Sequence, residues 1–196
     1  MDVLHTVETI LQAAGNGGAG RFEFKILSLL GDPAIPALLR YTTEPPPCKM
    51  PENAQAVAIR ALGELCSRDA VEPLLRVIRA GSPRLRHEAI DALGKIGDPA
   101  ALPDLLELAQ SNDFYVQMAA IDALGNIGDV RAEPVLLKLL TEHPKDNIRY
   151  AAAEALIKVG TSAAIPVLEG RLQAEPSRSV QGRIGWALRI LRQKAR

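Results

Sequence analysis

Hydrophobic and polar positions along this chain follow a helical period. In Arg84–Ile96, RLRHEAIDALGKI, the residues Leu85, Ala89, Ala92, Leu93 and Ile96 fall on one apolar face, with polar side chains between them. Gly97 follows at the position just past a helix end, where positive φ is usually required. Asp98 is expected to cap the next helix, and Pro99 to occupy its first turn, where a missing N–H is harmless. LPDLLELAQ then reads as a helix until Ser111, Asn112 and Asp113 break it. The pattern therefore predicts helix, polar turn, helix.

That pattern recurs. ALGKIGDPAALP (Ala92–Pro103) is echoed by ALGNIGDVRAEP (Ala123–Pro134), and more loosely by ALGELCSRDAVEP, ALIKVGTSAAIP and ILSLLGDPAIP. Leu62, Leu93, Leu124, Leu156 and Leu188 stand about 31 to 32 residues apart, a period that marks stacked supersecondary units. A capping column follows, Asp32, Ser67 (or Asp69), Asp98, Asp129 and Thr161, beside a glycine column of Gly31, Gly97, Gly128 and Gly160. Gly63, Gly94 and Gly125 lie inside helices, where glycine costs about 1 kcal/mol relative to alanine. Their recurrence predicts a neighbouring helix too close for a Cβ.

Six helix pairs are expected, the first helices starting near Asp2, Pro33, Asp69, Pro99, Val130 and Ser162. The second helices start near Gly20, Glu52, Pro83, Phe114, Asp146 and Ser177. The chain reads as one repeat domain over 1–196. It divides into a degenerate N-terminal repeat (1–41), a Pro-rich loop (42–53) between the first two pairs, regular repeats (54–174) and a C-terminal capping helix (175–196). The GNGGAG run, Gly15–Gly20, replaces the turn of the first pair.

Composition narrows the partners. Hydrophobic residues make up 47% of the chain and aromatics only 4%, so any clustering of aromatics is informative. Formal net charge is zero, so no global field draws the chain to nucleic acid or membrane. No segment approaches the roughly 20 apolar residues of a membrane span, and MDVLHTVETI has no basic start typical of a secretory signal. Cys48 and Cys66 are expected to be free thiols in a cytoplasmic protein, Cys66 replacing a helix-ending glycine.

The ALGxIGD phrases, each followed by an alanine, a proline and a leucine-rich helix, resemble short HEAT repeats of the phycobilisome-lyase type over nearly the whole chain. The resemblance implies an all-α fold, an α-solenoid (right-handed superhelix) of about six short HEAT helix pairs. It places the ALGxIG helix second in each pair, lining a concave face. It implies a non-enzymatic scaffold or adaptor that binds a protein partner through that face, with no cofactor. The same family includes phycobilin lyase subunits, which handle a chromophore, and deoxyhypusine hydroxylases.

Aligned on the leucine column, the outward positions of the second helices form three columns. They are Gly18, Asn53, Arg84, Tyr115, Asn147 and Ser179; Arg21, Ala56, His87, Met118, Tyr150 and Gly182; and Lys25, Arg60, Asp91, Asp122, Glu154 and Trp186. The expected protein-binding face comprises Tyr115, Met118, Asp122, Tyr150, Glu154 and Trp186, with His87 and Asp91 beside them. Arg21, Lys25 and Arg60 give its early part a basic sign. Asp91, Asp122 and Glu154 form an acidic row expected to steer a basic segment of the partner.

Three other chemistries have partial signals in the chain. His87-Glu88 resembles the His-Glu motif of the hydroxylases. The equivalent positions are Ala56-Val57, Met118-Ala119 and Tyr150-Ala151, so one pair cannot furnish a di-iron shell, and His87 with Asp91 reads as an i,i+4 pair. In a lyase reading, Tyr115, Tyr150 and Trp186 would stack on a flat chromophore and Arg21 or Arg60 would meet its propionates. Arg171, Arg178, Arg183, Arg189, Arg192, Lys194 and Arg196 make the last segment basic, but the acidic row would repel phosphate and argues against nucleic acid.

Overall fold

A computed structural model describes residues 2–17 and 23–195. Every regular element among the described residues is helical. Twelve α-helices among the described residues fall into six consecutive pairs. They are α1 (Val3–Gly15) with α2 (Glu23–Leu29), α3 (Ile35–Tyr41) with α4 (Pro51–Glu64), and α5 (Val71–Ala80) with α6 (Pro83–Ile96). Then come α7 (Leu102–Leu108) with α8 (Phe114–Ile127), α9 (Glu133–Glu142) with α10 (Asp146–Val159), and α11 (Ile165–Ala174) with α12 (Arg178–Lys194). Two compact units divide them, Met1–Ala101 and Leu102–Arg196, and the helix-pair pattern of an α-solenoid holds within each.

In the first unit α4 packs on α6, and α1, α2, α3 and α5 surround them. Its core is aliphatic: Leu11, Leu27, Leu38, Ile59, Leu62, Leu74, Ile90 and Leu93 are fully buried. In the second unit α10 packs against α8, α9 and α12, around Leu105, Ile121, Leu124, Leu136, Leu156 and Ile184. Two of the mid-helix glycines, Gly63 and Gly125, have the steric cause their recurrence suggests. A Cβ on Gly63 would lie 2.9 Å from Ala92 Cα, and one on Gly125 would lie 3.1 Å from Ala155 Cα.

Several local expectations change. The Asp-Pro turns do not lead straight into α-helix. A 3-10 turn precedes each first helix from α3 onward: Asp32–Ala34, Arg68–Ala70, Pro99–Ala101, Val130–Ala132 and Ser162–Ala164. The caps therefore serve those turns. Asp98 Oδ1 accepts from Ala100 N at 2.9 Å, Asp129 Oδ1 from Arg131 N at 2.9 Å, and Thr161 Oγ1 from Ala163 N at 3.2 Å. Ser67 makes no such bond, and Asp32 lies inside its turn, with Gly31 at the cap position. Gly31, Gly97 and Gly128 adopt φ of 67°, 71° and 75°, but Gly160 is extended at φ −64°. The Pro-rich segment joins α3 to α4, the two helices of the second pair, and does not separate pairs one and two. Gly18, Gly20, Arg21 and Arg196 lie outside the described residues.

Candidate protein-binding face

From α4 onward the second helices repeat at 31–32 residues, so within a unit side chains in one column stand beside those of the adjacent helix. Bonds across that interval organise the face in each unit. In the first unit Arg84 Nη1 donates to Asn53 Oδ1 at 2.5 Å. Arg60 lies 3.4 Å from the Glu88 carboxylate and 5.6 Å from the centre of the Phe24 ring. His87 is exposed, but its neighbour Glu88 is already engaged by Arg60. Asp91 pairs with Lys95 at 2.9 Å and not with His87, which corrects the expected i,i+4 pair. Lys95 also reaches Glu64 at 3.1 Å. Burial opposes the charged form of Lys95, but the bonds to Asp91 and Glu64 outweigh it and raise its pKa.

In the second unit Tyr115 is the most open of the expected aromatics, 73% exposed, and its ring meets Phe114 edge-on at 5.5 Å. Met118 is half-buried, and Asp122 is exposed. The tightest grouping lies between α10 and α12. Arg183 donates to the Tyr150 hydroxyl, sits 4.9 Å above the Tyr150 ring, and pairs with Glu154 at 2.7 Å. Trp186, 44% exposed, carries Arg189 over its ring at 5.0 Å. Tyr150, Arg178, Ser179, Gly182, Arg183 and Trp186 line a cleft of about 450 Å3.

The structure therefore brings together Tyr150, Glu154 and Trp186, and adds Arg178 and Arg183, which the columns did not assign to this face. The signal was present: Arg183 stands 33 residues beyond Tyr150 and 29 beyond Glu154, one position past the Gly182 column. Two acids of the expected row have partners within this chain. Asp91 pairs with Lys95 and Glu154 with Arg183, and both carboxylates keep part of their surface exposed.

The basic C-terminal stretch is also largely engaged. Arg171 pairs with Glu175 at 2.6 Å, Arg192 with Glu169, and Lys194 Nζ donates to Ile157 O at 3.1 Å. Glu175 itself is buried, held by a two-bond fork from Arg149 at 2.9 and 2.7 Å. That fork outweighs burial and, with the Ser177 N–H and Arg171, holds the Glu175 carboxyl at about 2. A second cavity of about 370 Å3 lies among the turns after α7 and α9. Two of its polar residues, Gln117 and His143, already bond to Ala109 O and Lys145 N. Among the described residues no three His, Cys, Asp or Glu side chains gather where they could hold a metal ion. No described helix is long and apolar enough to cross a membrane.

Comparison with known proteins agrees with the helix pairs. The family model for HEAT repeats matches residues 48–120 and 105–189. Among solved structures, the complex of CpcE and CpcF of phycocyanin lyase from Nostoc is similar, at 22% identity and a TM-score of 0.58. That match covers 91% of this chain and 73% of that one. Human deoxyhypusine hydroxylase, in complex with glycerol, aligns over 97% of both chains at 17% identity, with a TM-score of 0.44. No curated protein matches the chain.

Proposed function

We propose, for a chain that belongs to the HEAT-repeat family, a non-enzymatic scaffold that binds a protein partner through the outward face of its second helices. One observation carries this reading. In a chain with 4% aromatic residues, Tyr150 and Trp186 flank an open cleft, each with an arginine stacked on its ring. Tyrosine, tryptophan and arginine are the side chains that most often anchor protein interfaces. Here they stand on helices fixed by an aliphatic core, so little ordering entropy is lost when a partner docks.

The test compares the intact chain with a variant carrying Tyr115→Ala, Tyr150→Ala and Trp186→Ala, used as baits in a lysate of the source organism. The expected outcome is a partner retained by the intact chain and reduced at least about tenfold with the variant, while far-ultraviolet circular dichroism is unchanged. Equal retention by both baits would remove this face from the reading.

A second reading is a lyase-like subunit. It is favoured by the likeness, across most of the chain, to a complex of two proteins, CpcE and CpcF of phycocyanin lyase. Under it, the chain would pair with another subunit and handle a flat chromophore at the same aromatics. A visible absorption band gained from a free bilin, sensitive to Trp186→Ala, would favour this reading over the scaffold.

A further inference from the structure

Within α12, Gly182 has no packing reason. A mid-helix glycine weakens its helix relative to alanine. Gly63 and Gly125 are explained by Ala92 and Ala155, which approach to within 2.9 and 3.1 Å of where a Cβ would stand. A Cβ on Gly182 would meet nothing within 4 Å. The three immediately preceding repeats place His87, Met118 and Tyr150 at this column, all of them large, and the repeat before those places Ala56. Gly182 instead leaves the floor of the cleft bare between Arg178 and Trp186.

The walls give that opening a charge. Arg178 and Arg183 line the cleft and no acid is among its lining residues, Arg189 stacks on the Trp186 ring, and Glu154 is paired with Arg183. Among the described residues Arg178 and Arg189 pair with no carboxylate. We propose that the cleft between α10 and α12 docks an acidic protein segment, with an apolar side chain seated over Gly182 between Tyr150 and Trp186. Carboxylates on either side of it meet Arg178 and Arg189. This rests on the protein-binding reading and supplies its partner's sign, the reverse of the one the acidic columns suggest. A cleft of about 450 Å3 suits one or two side chains. A nucleic-acid backbone fits less well, because Arg171, Arg192 and Lys194 are committed elsewhere and too few free cations remain to follow successive phosphates.

Trp186 is the only tryptophan in the chain, so its emission reports on this cleft alone. The full chain is titrated with a short peptide of alternating Glu and Leu, then with its Lys-for-Glu counterpart and with a single-stranded oligonucleotide. The acidic peptide is expected to shift Trp186 emission saturably, at least about tenfold more tightly than the basic one, and to weaken as salt is raised. Gly182→Leu, which fills open space with a better helix former, is expected to keep full helicity and to lose at least about tenfold in affinity. Arg178→Glu, on an exposed position, is expected to do the same. Equal binding of the two peptides, undiminished binding by Gly182→Leu, or a preference for the oligonucleotide would overturn the proposal. Silence with both peptides would also overturn it, while the protein-binding reading would still stand or fall on the capture experiment.

Discussion

At residue scale, the helix-ending glycine column shows what one substitution does. Gly31, Gly97 and Gly128 turn left-handed after their helices, and Cys66 fills the same place at φ 49°. A left-handed conformation costs a residue with a Cβ about 1–2 kcal/mol. Glycine's greater freedom in the unfolded chain returns about 0.5–1 kcal/mol of that difference. The cysteine side chain offsets little of the strain, its thiol lying 3.6 Å from Lys95 O. Cys66→Gly should therefore stabilise the protein by about 0.5–1 kcal/mol and raise the thermal midpoint by a degree or more, as read in a calorimetric melt. A lower midpoint would show that Cys66 holds more than its backbone geometry suggests. This position was legible in the sequence, because the column aligns a cysteine with glycines. Gly160 misled for the same reason: it shares the column but is extended, and a Cβ there would clash with Leu156 O and Leu191.

At the scale of elements, the pairs were legible and their joints were not. A column of donors at Gln55, Arg86, Gln117, Arg149 and Gln181 keeps the period of the leucines. Each reaches back to a carbonyl at or near the end of the first helix of its pair: Thr42, Ile78, Ala109, His143 and Glu175 respectively. Those carbonyls have no partner within their own helix, so the second helix satisfies the first. Read one helix at a time, such polar positions look like surface. Their spacing carries the information, yet nothing in a single helix shows which neighbour they face. The ion pair Arg183–Glu154 escaped because it joins different columns of adjacent helices, whereas Lys95 and Glu64 stand 31 residues apart in one column. Gln117 is buried, and its Nε2 lies 2.9 Å from Ala109 O. Gln117→Leu removes the donor and strands that carbonyl, a loss expected at about 1–3 kcal/mol in urea unfolding. No change in midpoint would mean that water replaces the amide.

At the scale of the whole molecule, the formal charge is zero at neutral pH and turns positive as carboxylates protonate, so the share of one carboxylate in acid sensitivity is read against a variant that lacks it. Glu175 is the chief one. It ties the turn after α9, through Arg149, to the end of α11, through Arg171, and lies buried between them. Its pKa is about 2 in the folded chain, against an ordinary value of 4.5. A depressed pKa means that the folded state holds the proton less well than the unfolded state. The stabilisation is therefore complete above about 4.5 and drains away as pH falls towards 2. Asp129, held at about 2 by the Arg131 side chain and backbone N–H, adds to the same window from the surface. Glu175→Gln leaves the Arg149 charge buried without its counter-ion, which should cost about 3–5 kcal/mol at neutral pH. The gap between wild type and variant should then narrow steadily between pH 4.5 and 2, measured by urea unfolding at each pH. A gap that stays constant through this window would mean that Glu175 acts by shape and hydrogen bonding alone. The buried ion network would then contribute nothing to the pH dependence of this fold.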